Sequence, residues 1–353
     1  MKKINKHIEI VRYASTHIST SMGAKSSEAI LDVLSKHYTR VGISVVKDLS
    51  DLKAAVEAKP DLVFLGKKFI PMDQALGLDD PDKIWIAQYL DDNNIAYTGS
   101  DHLAHQLEIN KPLAKRCLLA AGLKTSPFYV APKTSTLVKP SVDLKFPLFV
   151  KPTSSGGGQG IDSDSVVRNI KQLNAKVKSI AESLGSDSLV EEYLPGREFS
   201  VAILKHGCLQ TYMTMAIEII APADEHGSRV LSSQIKKADT ERSLKVIDQT
   251  IEAKINNLAL SAFHALGARD YGRIDIRLDS AGVPHFLEAN LAPSLKRSVG
   301  NYFPKACLLN LGLDYEAMIL AIAELGLSRS AAMPLDAVEP DINLSTFLEP
   351  VIV

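Results

Sequence analysis

The sequence GRIDIRLDSAGVPHFLEAN, at residues 272–290, carries the clearest structural pattern in this 353-residue chain. Residues 271–278 and 284–288 each follow a strand pattern, and the turn residues 279–282 separate them, which predicts a pair of adjacent strands. Upstream of this pair, helical and strand-like segments alternate along the chain. The sequence therefore predicts an α/β protein.

Four polar side chains on the two predicted strands point to a cation site. Alternation places Arg273 and Asp275 on one face of the first strand, and Glu288 and Asn290 on one face of the second. Two carboxylates and an amide offer only oxygen ligands, which suit Mg²⁺, and Arg273 would supply positive charge to a transferring phosphoryl group. A hairpin with surface acids has the same composition. However, apolar residues flank these acids, and burial without a cation would be unfavourable. The pattern favours a metal site.

The first hundred residues predict an open parallel sheet with helices on its faces. Helical periodicity at 26–38 and 83–90 alternates with short apolar runs at 61–66 and 95–97. A long helix is predicted at 101–122 and another at 163–184.

A glycine-rich segment, FVKPTSSGGGQGI at 149–161, could approach an anion closely. Gly156, Gly157 and Gly158 allow backbone N–H groups to come near a phosphate, and Lys151 adds a point charge. The residues alone leave open whether this loop binds phosphate or only turns the chain. A second segment, SLVEEYLPGREFSVAIL at 188–204, is by itself interpreted as a hairpin with a solvated acidic edge.

Composition restricts the class of partner. The formal net charge of −1 disfavours nucleic acid and anionic membranes as partners. No apolar run approaches the roughly 20 residues of a membrane span, and no apolar signal-peptide segment follows the N-terminal residues. Three cysteines without metal-ligand spacing indicate a reducing, cytoplasmic setting.

Taken in order, Lys151 with its glycine loop, Glu-Glu-Tyr-Leu at 191–194, Arg-x-Asp and Glu-x-Asn resemble the ATP-grasp superfamily. Within it, residues 95–320 are most similar to the D-alanine–D-alanine ligases, and the similarity includes YTGSD at 97–101 and Asn110-Lys111. The resemblance implies an ATP-grasp fold. It also implies an N-terminal α/β domain at 1–100, a central subdomain at 101–195 and a C-terminal subdomain with the metal site at 196–353.

The resemblance also implies roles for individual residues. It assigns the ATP phosphates to Lys111, Lys151, Gly156, Gly157 and Gly158. It assigns adenine and ribose to Glu191, Leu194 and Glu198. It assigns two Mg²⁺ ions, with Mn²⁺ as an alternative, to Asp275, Glu288 and Asn290, and catalytic roles to Arg273 and Lys236. The implied reaction ligates a small-molecule carboxylate to an amine through an acyl phosphate, and the implied assembly is a homodimer.

Departures from the family concentrate on the substrate side. The family's N-terminal acid falls near Ser21 here, and Val299 falls near a serine that binds the substrate carboxylate. Lys67 and Lys68 in LGKKFIPMDQALG, with Lys296 and Arg297 in LAPSLKRSVG, add positive charge. We therefore expect a substrate other than two D-alanines. The alternatives are a true D-alanine–D-alanine ligase with a rebuilt N-terminal domain, or a nucleotide-binding regulatory pseudoenzyme.

Overall fold

The computed structural model describes residues 2–14, 22–135, 144–154, 156–207, 209, 211–297 and 301–331, so Ser21 and Val299 lie outside the described residues. The strands are β1 (Ile4–Tyr13), β2 (Tyr38–Val46), β3 (Leu62–Leu65), β4 (Phe69–Ile70), β5 (Ile84–Trp85), β6 (Phe128–Ala131), β7 (Leu148–Pro152), β8 (Val166–Val167), β9 (Ser188–Glu192), β10 (Glu198–Lys205), β11 (Tyr212–Ile220), β12 (Arg242–Lys245), β13 (Tyr271–Leu278) and β14 (Pro284–Asn290). The helices are α1 (Ala24–His37), α2 (Leu49–Glu57), α3 (Ile86–Asp92), α4 (His102–Ile109), α5 (Lys111–Ala120), α6 (Ile170–Leu184), α7 (Ser233–Ala238), α8 (Gln249–Ala265), α9 (Tyr302–Leu311) and α10 (Tyr315–Ala331).

The N-terminal part contains the predicted open parallel sheet. Its strands run in the order β2-β1-β3, and both pairings are parallel. The predicted strand at 95–97 is reduced to a single parallel bridge between Val63 and Tyr97. The helix predicted at 83–90 begins only at Ile86, because residues 84–85 pair with β4 instead.

The central part is a four-stranded antiparallel sheet in the order β6-β9-β7-β8, with α6 packed on it. The helix predicted at 163–184 was too long at its start. Val166 and Val167 pair with β7 as a short strand, and Asn169 then caps α6 by accepting a hydrogen bond from the backbone N–H of Gln172.

The C-terminal part is a five-stranded antiparallel sheet in the order β12-β11-β10-β13-β14. Helix α8 packs on one face, where Phe263 and Ile274 belong to the same apolar core. The other face shares a core with α9, α10 and the N-terminal sheet. The paired strands predicted at 271–278 and 284–288 are confirmed as β13 and β14.

The helix predicted at 101–122 is broken at Asn110 into α4 and α5. Pro112 lacks a backbone N–H and is tolerated only in the first turn of a helix, where it lies in α5. Asn110 caps α5 by accepting a hydrogen bond from the N–H of Leu113 at 3.0 Å. The break places Lys111 at the start of α5, and its backbone N–H donates to Thr153 O at 3.2 Å.

Helices α4 and α5 share their core with α8 rather than with the central sheet. The division of the chain at residues 101 and 196 stays a proposal. Among the described residues, no single helix is long and apolar enough to cross a membrane. Only α9 and α10 together reach that length, and they are bent by 104°.

Candidate active site

A cleft lies between the central and C-terminal sheets. Most predicted site residues meet there, and its polar lining includes Lys151, Gly158, Glu191, Glu198, Lys236, Asp275 and Glu288. Its apolar lining includes Phe149, Ile161, Leu194, Val230, Leu231 and Leu287. An apolar pocket beside a charged region is suited to a nucleotide, which joins a largely apolar nucleobase to charged phosphates. The lining omits five predicted residues of the described chain, namely Lys111, Gly156, Gly157, Arg273 and Asn290.

Three buried charges lie at the cleft, two of them in its lining and the third behind it. The carboxylate of Glu191 lies 2.7 Å from Lys151 Nζ through one oxygen and 2.7 Å from Lys115 Nζ through the other. Burial opposes ionisation, but the two lysines outweigh it and lower the pKa of Glu191 to about 2. The interpretation of this strand as a solvated acidic edge is therefore wrong at Glu191, which is only 2% exposed. Below, the buried triad means Lys115, Glu191 and Lys151.

Lys111 is placed beside this triad by the start of α5. Its side chain is buried, and burial lowers its pKa to about 8 even though the charge of Glu288 favours the protonated form. Lys151 is also buried, but Glu191 outweighs burial and raises its pKa. Both lysines therefore contribute to a positive region near Glu288.

Two of the three metal-binding candidates, Asp275 on β13 and Glu288 on β14, are cross-strand neighbours, and the third, Asn290, pairs with Arg273. Between Phe286 and Glu288 the register shifts by one residue, so a bulge at Leu287 maintains this alignment. Burial opposes ionisation of Glu288, but nearby positive charges, Lys111 first among them, lower its pKa. Glu288 is therefore ionised at neutral pH.

Asp275 accepts hydrogen bonds at both carboxylate oxygens. Ser200 Oγ donates at 2.7 Å, Arg273 donates at 2.9 and 2.8 Å through two nitrogens, and Asn290 Nδ2 donates at 3.2 Å. A carboxylate has about four lone-pair sites, so a cation at Asp275 requires one of these donors to shift. The oxygen-only donor set of Asp275, Glu288 and Asn290 fits Mg²⁺, with that rearrangement at Asp275.

The glycine-rich loop packs against the segment that leads into α7. Gly158 has φ +82°, and a Cβ at this position would lie 3.3 Å from the backbone nitrogen of Ser233. Both the conformation and the close approach favour glycine. Lys236 lies on α7 and lines the cleft, so the loop and the lysine cover the same end of it.

Glu198 also lines the cleft, and its carboxylate is paired with an arginine. Arg277 Nη1 donates to Glu198 Oε2 at 3.0 Å, while Nη2 donates to the hydroxyl of Tyr193 at 2.9 Å. Burial raises the pKa of Glu198, against the opposing effect of Arg277. Arg277 also lines the cleft and was not among the predicted site residues. It lies two residues after Asp275 on β13, so strand alternation places the two side chains on the same face.

Two of the four cations expected on the substrate side are internal. Lys67 Nζ donates to Val46 O at 2.7 Å, and Lys68 Nζ lies 2.6 Å from Glu108 Oε1. Both side chains are about 95% buried, at 4% and 5% exposure, so neither presents charge to a ligand. Lys296 and Arg297 are exposed, and Arg297 lies over the ring of Tyr315.

Lys115 was also missed. It is fully buried and donates to Thr125 Oγ1 at 2.5 Å in addition to its contact with Glu191. The available signal was its position four residues after Lys111, which places both lysines on one side of a helix.

Comparison with known proteins gives consistent results. The D-ala D-ala ligase C-terminus family matches residues 119–324. D-alanine–D-alanine ligases from Bordetella petrii and Xylella fastidiosa are 31% and 30% identical, each over 65% of this chain and over 67% and 72% of their own lengths. A protein of uncharacterised function from Sinorhizobium fredii is 31% identical over 57% of this chain and 58% of its own length.

The structure of Bacillus anthracis D-alanine–D-alanine ligase complexed with ATP aligns with a TM-score of 0.69 and 19% identity, over 92% of this chain and 99% of that one. This likeness concerns the fold. Together with the family match over more than half of the sequence, it shows that the chain has the ATP-grasp fold and belongs to the D-alanine–D-alanine ligase family.

Proposed function

We propose that the chain is an ATP-dependent ligase that joins a carboxylate to an amine and releases ADP and phosphate. The observation that carries the proposal is the cross-strand pair Asp275 and Glu288, which lies in a cleft also lined by Lys151 and Lys236. Oxygen ligands beside lysines are the groups that phosphoryl transfer from a nucleotide requires. The relatives named as D-alanine–D-alanine ligases support the same class of reaction.

The proposed chemistry has two steps. A carboxylate oxygen attacks the γ-phosphorus of ATP, the bond to the bridging oxygen breaks, and ADP leaves. An amine nitrogen then attacks the acyl carbon, phosphate leaves with the C–O electron pair, and the nitrogen loses a proton to give the amide. Lys151, Lys236 and Arg273 would offset the negative charge of the transferring group.

Asp275, Glu288 and Asn290 would hold Mg²⁺, for which we propose two ions with Mn²⁺ as an alternative. When bound, the metal would neutralise charge on the phosphates. Lys111 and Gly158 would contact the same phosphates. Since a glycine-rich loop covers this end, it would also exclude water from the acyl phosphate.

For the substrates, we propose a pair other than two D-alanines. Exposed Lys296 and Arg297, in the segment after β14, support an anionic or larger carboxylate, whereas buried Lys67 and Lys68 do not contribute. A true D-alanine–D-alanine ligase is the second candidate, favoured by the names of the relatives. A cytoplasmic homodimer acting on small molecules completes the proposal.

ADP release from the purified chain tests the reaction. Amino acids, including D-alanine, are supplied with ATP and Mg²⁺, singly and in pairs with other carboxylic acids. We expect ADP release to require one carboxylate and one amine, and Asp275→Asn to lower it by about 100-fold. Asp279→Asn, in the β13–β14 turn outside the cleft lining, is the matched control and should leave the rate unchanged. If ATP binds but no pair stimulates ADP release, the ligase proposal is wrong.

A further inference from the structure

The buried triad joins the two sheets that enclose the cleft. Lys151 and Glu191 belong to the central sheet, on β7 and β9, whereas Lys115 belongs to α5, which packs with the C-terminal core. Lys151 lines the cleft, while Lys115 lies behind it with 0% exposure. Lys115, a fully buried lysine of the C-terminal core, therefore offsets the negative charge of Glu191, an acid of the central sheet.

The position of Lys115 is fixed by more than one contact. Its ammonium group donates to Thr125 Oγ1, and the Thr125 hydroxyl donates to Phe286 O at 3.0 Å on β14. The same ammonium lies 2.7 Å from Glu191 Oε2. A lysine held in this way cannot rotate toward the cleft without losing its contacts with both Thr125 and Glu191, which would be unfavourable in the interior.

Charge balance shows what Lys115 contributes. Glu191 paired with Lys151 alone would form a neutral pair and would compete with any anion for the Lys151 ammonium group. With Lys115 on the second oxygen of Glu191, two positive charges face one negative charge, and the triad keeps a net charge of +1. Charge interactions are only weakly screened in the protein interior, so this difference should be felt by a phosphate at Lys151.

We propose that Lys115 is a positioning residue. By pairing with one carboxylate oxygen of Glu191, it keeps Lys151, which contacts the other oxygen, available for the phosphates of ATP. This inference rests on the ATP binding of the proposed function. It predicts that affinity for the phosphate groups follows the net charge of the triad. Affinity for the nucleoside alone should not follow it.

Titration of ATP and of adenosine, which carries no phosphate, into three variants by calorimetry tests this inference. Lys115→Met gives the triad a net charge of 0, Lys115→Met with Glu191→Gln restores +1 through Lys151 alone, and Lys115→Arg keeps +1. Lys67→Met is the matched control, because it removes another buried lysine that lies outside the cleft lining.

For Lys115→Met we expect a loss of ATP affinity of about tenfold with adenosine affinity unchanged. The double variant and Lys115→Arg should bind ATP within about threefold of the wild type. An unchanged ATP affinity in Lys115→Met, an equal loss for ATP and adenosine, or a double variant as weak as Lys115→Met would overturn the inference. If Lys115→Met fails to fold, the double variant still tests the inference. A loss of ATP affinity well beyond threefold in the double variant would show that Lys115 does not act through Glu191. A wild-type chain that binds no ATP would instead overturn the proposed function itself.

Discussion

Replacement of Lys68 by methionine should destabilise the fold rather than alter substrate binding. Lys68 Nζ lies 2.6 Å from Glu108 Oε1, and both side chains are about 95% buried, at 6% and 5% exposure. The same oxygen accepts a hydrogen bond from Leu291 N at 2.8 Å, directly after Asn290. Removing the lysine would therefore leave a buried carboxylate beside the end of β14.

Two routes give the size of the effect. Burial opposes ionisation of Glu108, but Lys68 and then His105 outweigh it and lower the pKa from 4.5 to about 2. This shift corresponds to about 3 kcal/mol of stability at neutral pH, present above the unfolded pKa and lost as the pH falls toward 2. Breaking a buried ion pair by removing one partner costs a similar amount, about 3–5 kcal/mol.

Urea unfolding, followed by the fluorescence of Trp85, measures the loss of unfolding free energy. Trp85 is the single tryptophan and lies close to Lys68, because the N–H of the next residue, Ile86, donates to Lys68 O at 2.9 Å. We expect Lys68→Met to lower the free energy of unfolding by about 3 kcal/mol. Lys68→Met with Glu108→Gln should recover more than half of this loss, since it removes the unpaired charge.

The exposed ion pair between Lys36 and Glu316 supplies the control, because Lys36 is 57% exposed. Lys36→Met should cost no more than about 1 kcal/mol. If Lys68→Met costs no more than Lys36→Met but weakens the binding of a substrate, Lys68 is a ligand-binding residue and the reasoning fails.

Further predictions concern the cleft. ATP affinity should fall as the pH rises past about 8, because burial lowers the pKa of both Lys111 and Lys115 to about 8 and their positive charges are then lost. Lys111→Arg should make the profile measured by calorimetry shallower, and an unchanged profile would exclude Lys111 as a cause. Glu288→Gln should lower Mg²⁺-dependent ADP release by about 100-fold while ATP still binds without Mg²⁺, and full activity would show that Glu288 is no ligand. Gly158→Ala should raise the KM for ATP, because the added Cβ would meet Ser233. Gly282→Ala is the control: it has φ +77° and lies in open space, so the substitution should lower stability only. Equal KM values for the two variants would argue against a role of the contact with Ser233.

The parts of the fold predicted from sequence are those set by local patterns. β13 and β14 follow from strand alternation around turn residues, and the Asp275–Glu288 pairing follows from alternation once the strands are adjacent. The N-terminal parallel sheet follows from alternating helical and strand segments. These signals lie within a few residues of each other, so one sequence is enough to find them.

Contacts between distant segments were not predictable in the same way. Lys115 and Glu191 meet across the boundary between the C-terminal core, to which α5 belongs, and the central sheet, to which β9 belongs, and neither residue's neighbours indicate the pairing. The burial of Lys67 and Lys68 depends on partners in β2 and α4, so their charge was assigned to the substrate side by mistake. The roles of the individual site residues stay predictions.

The most direct test of the account follows the oxygen atoms of the carboxylate substrate. The substrate pair that best stimulates ADP release is supplied with its carboxylate labelled with ¹⁸O, and the released phosphate is examined by mass spectrometry. An acyl phosphate requires that one labelled oxygen pass from the carboxylate to each phosphate formed, and this is the result we predict. Phosphate without the label would show that ATP is hydrolysed by water, which would contradict the proposed ligase reaction.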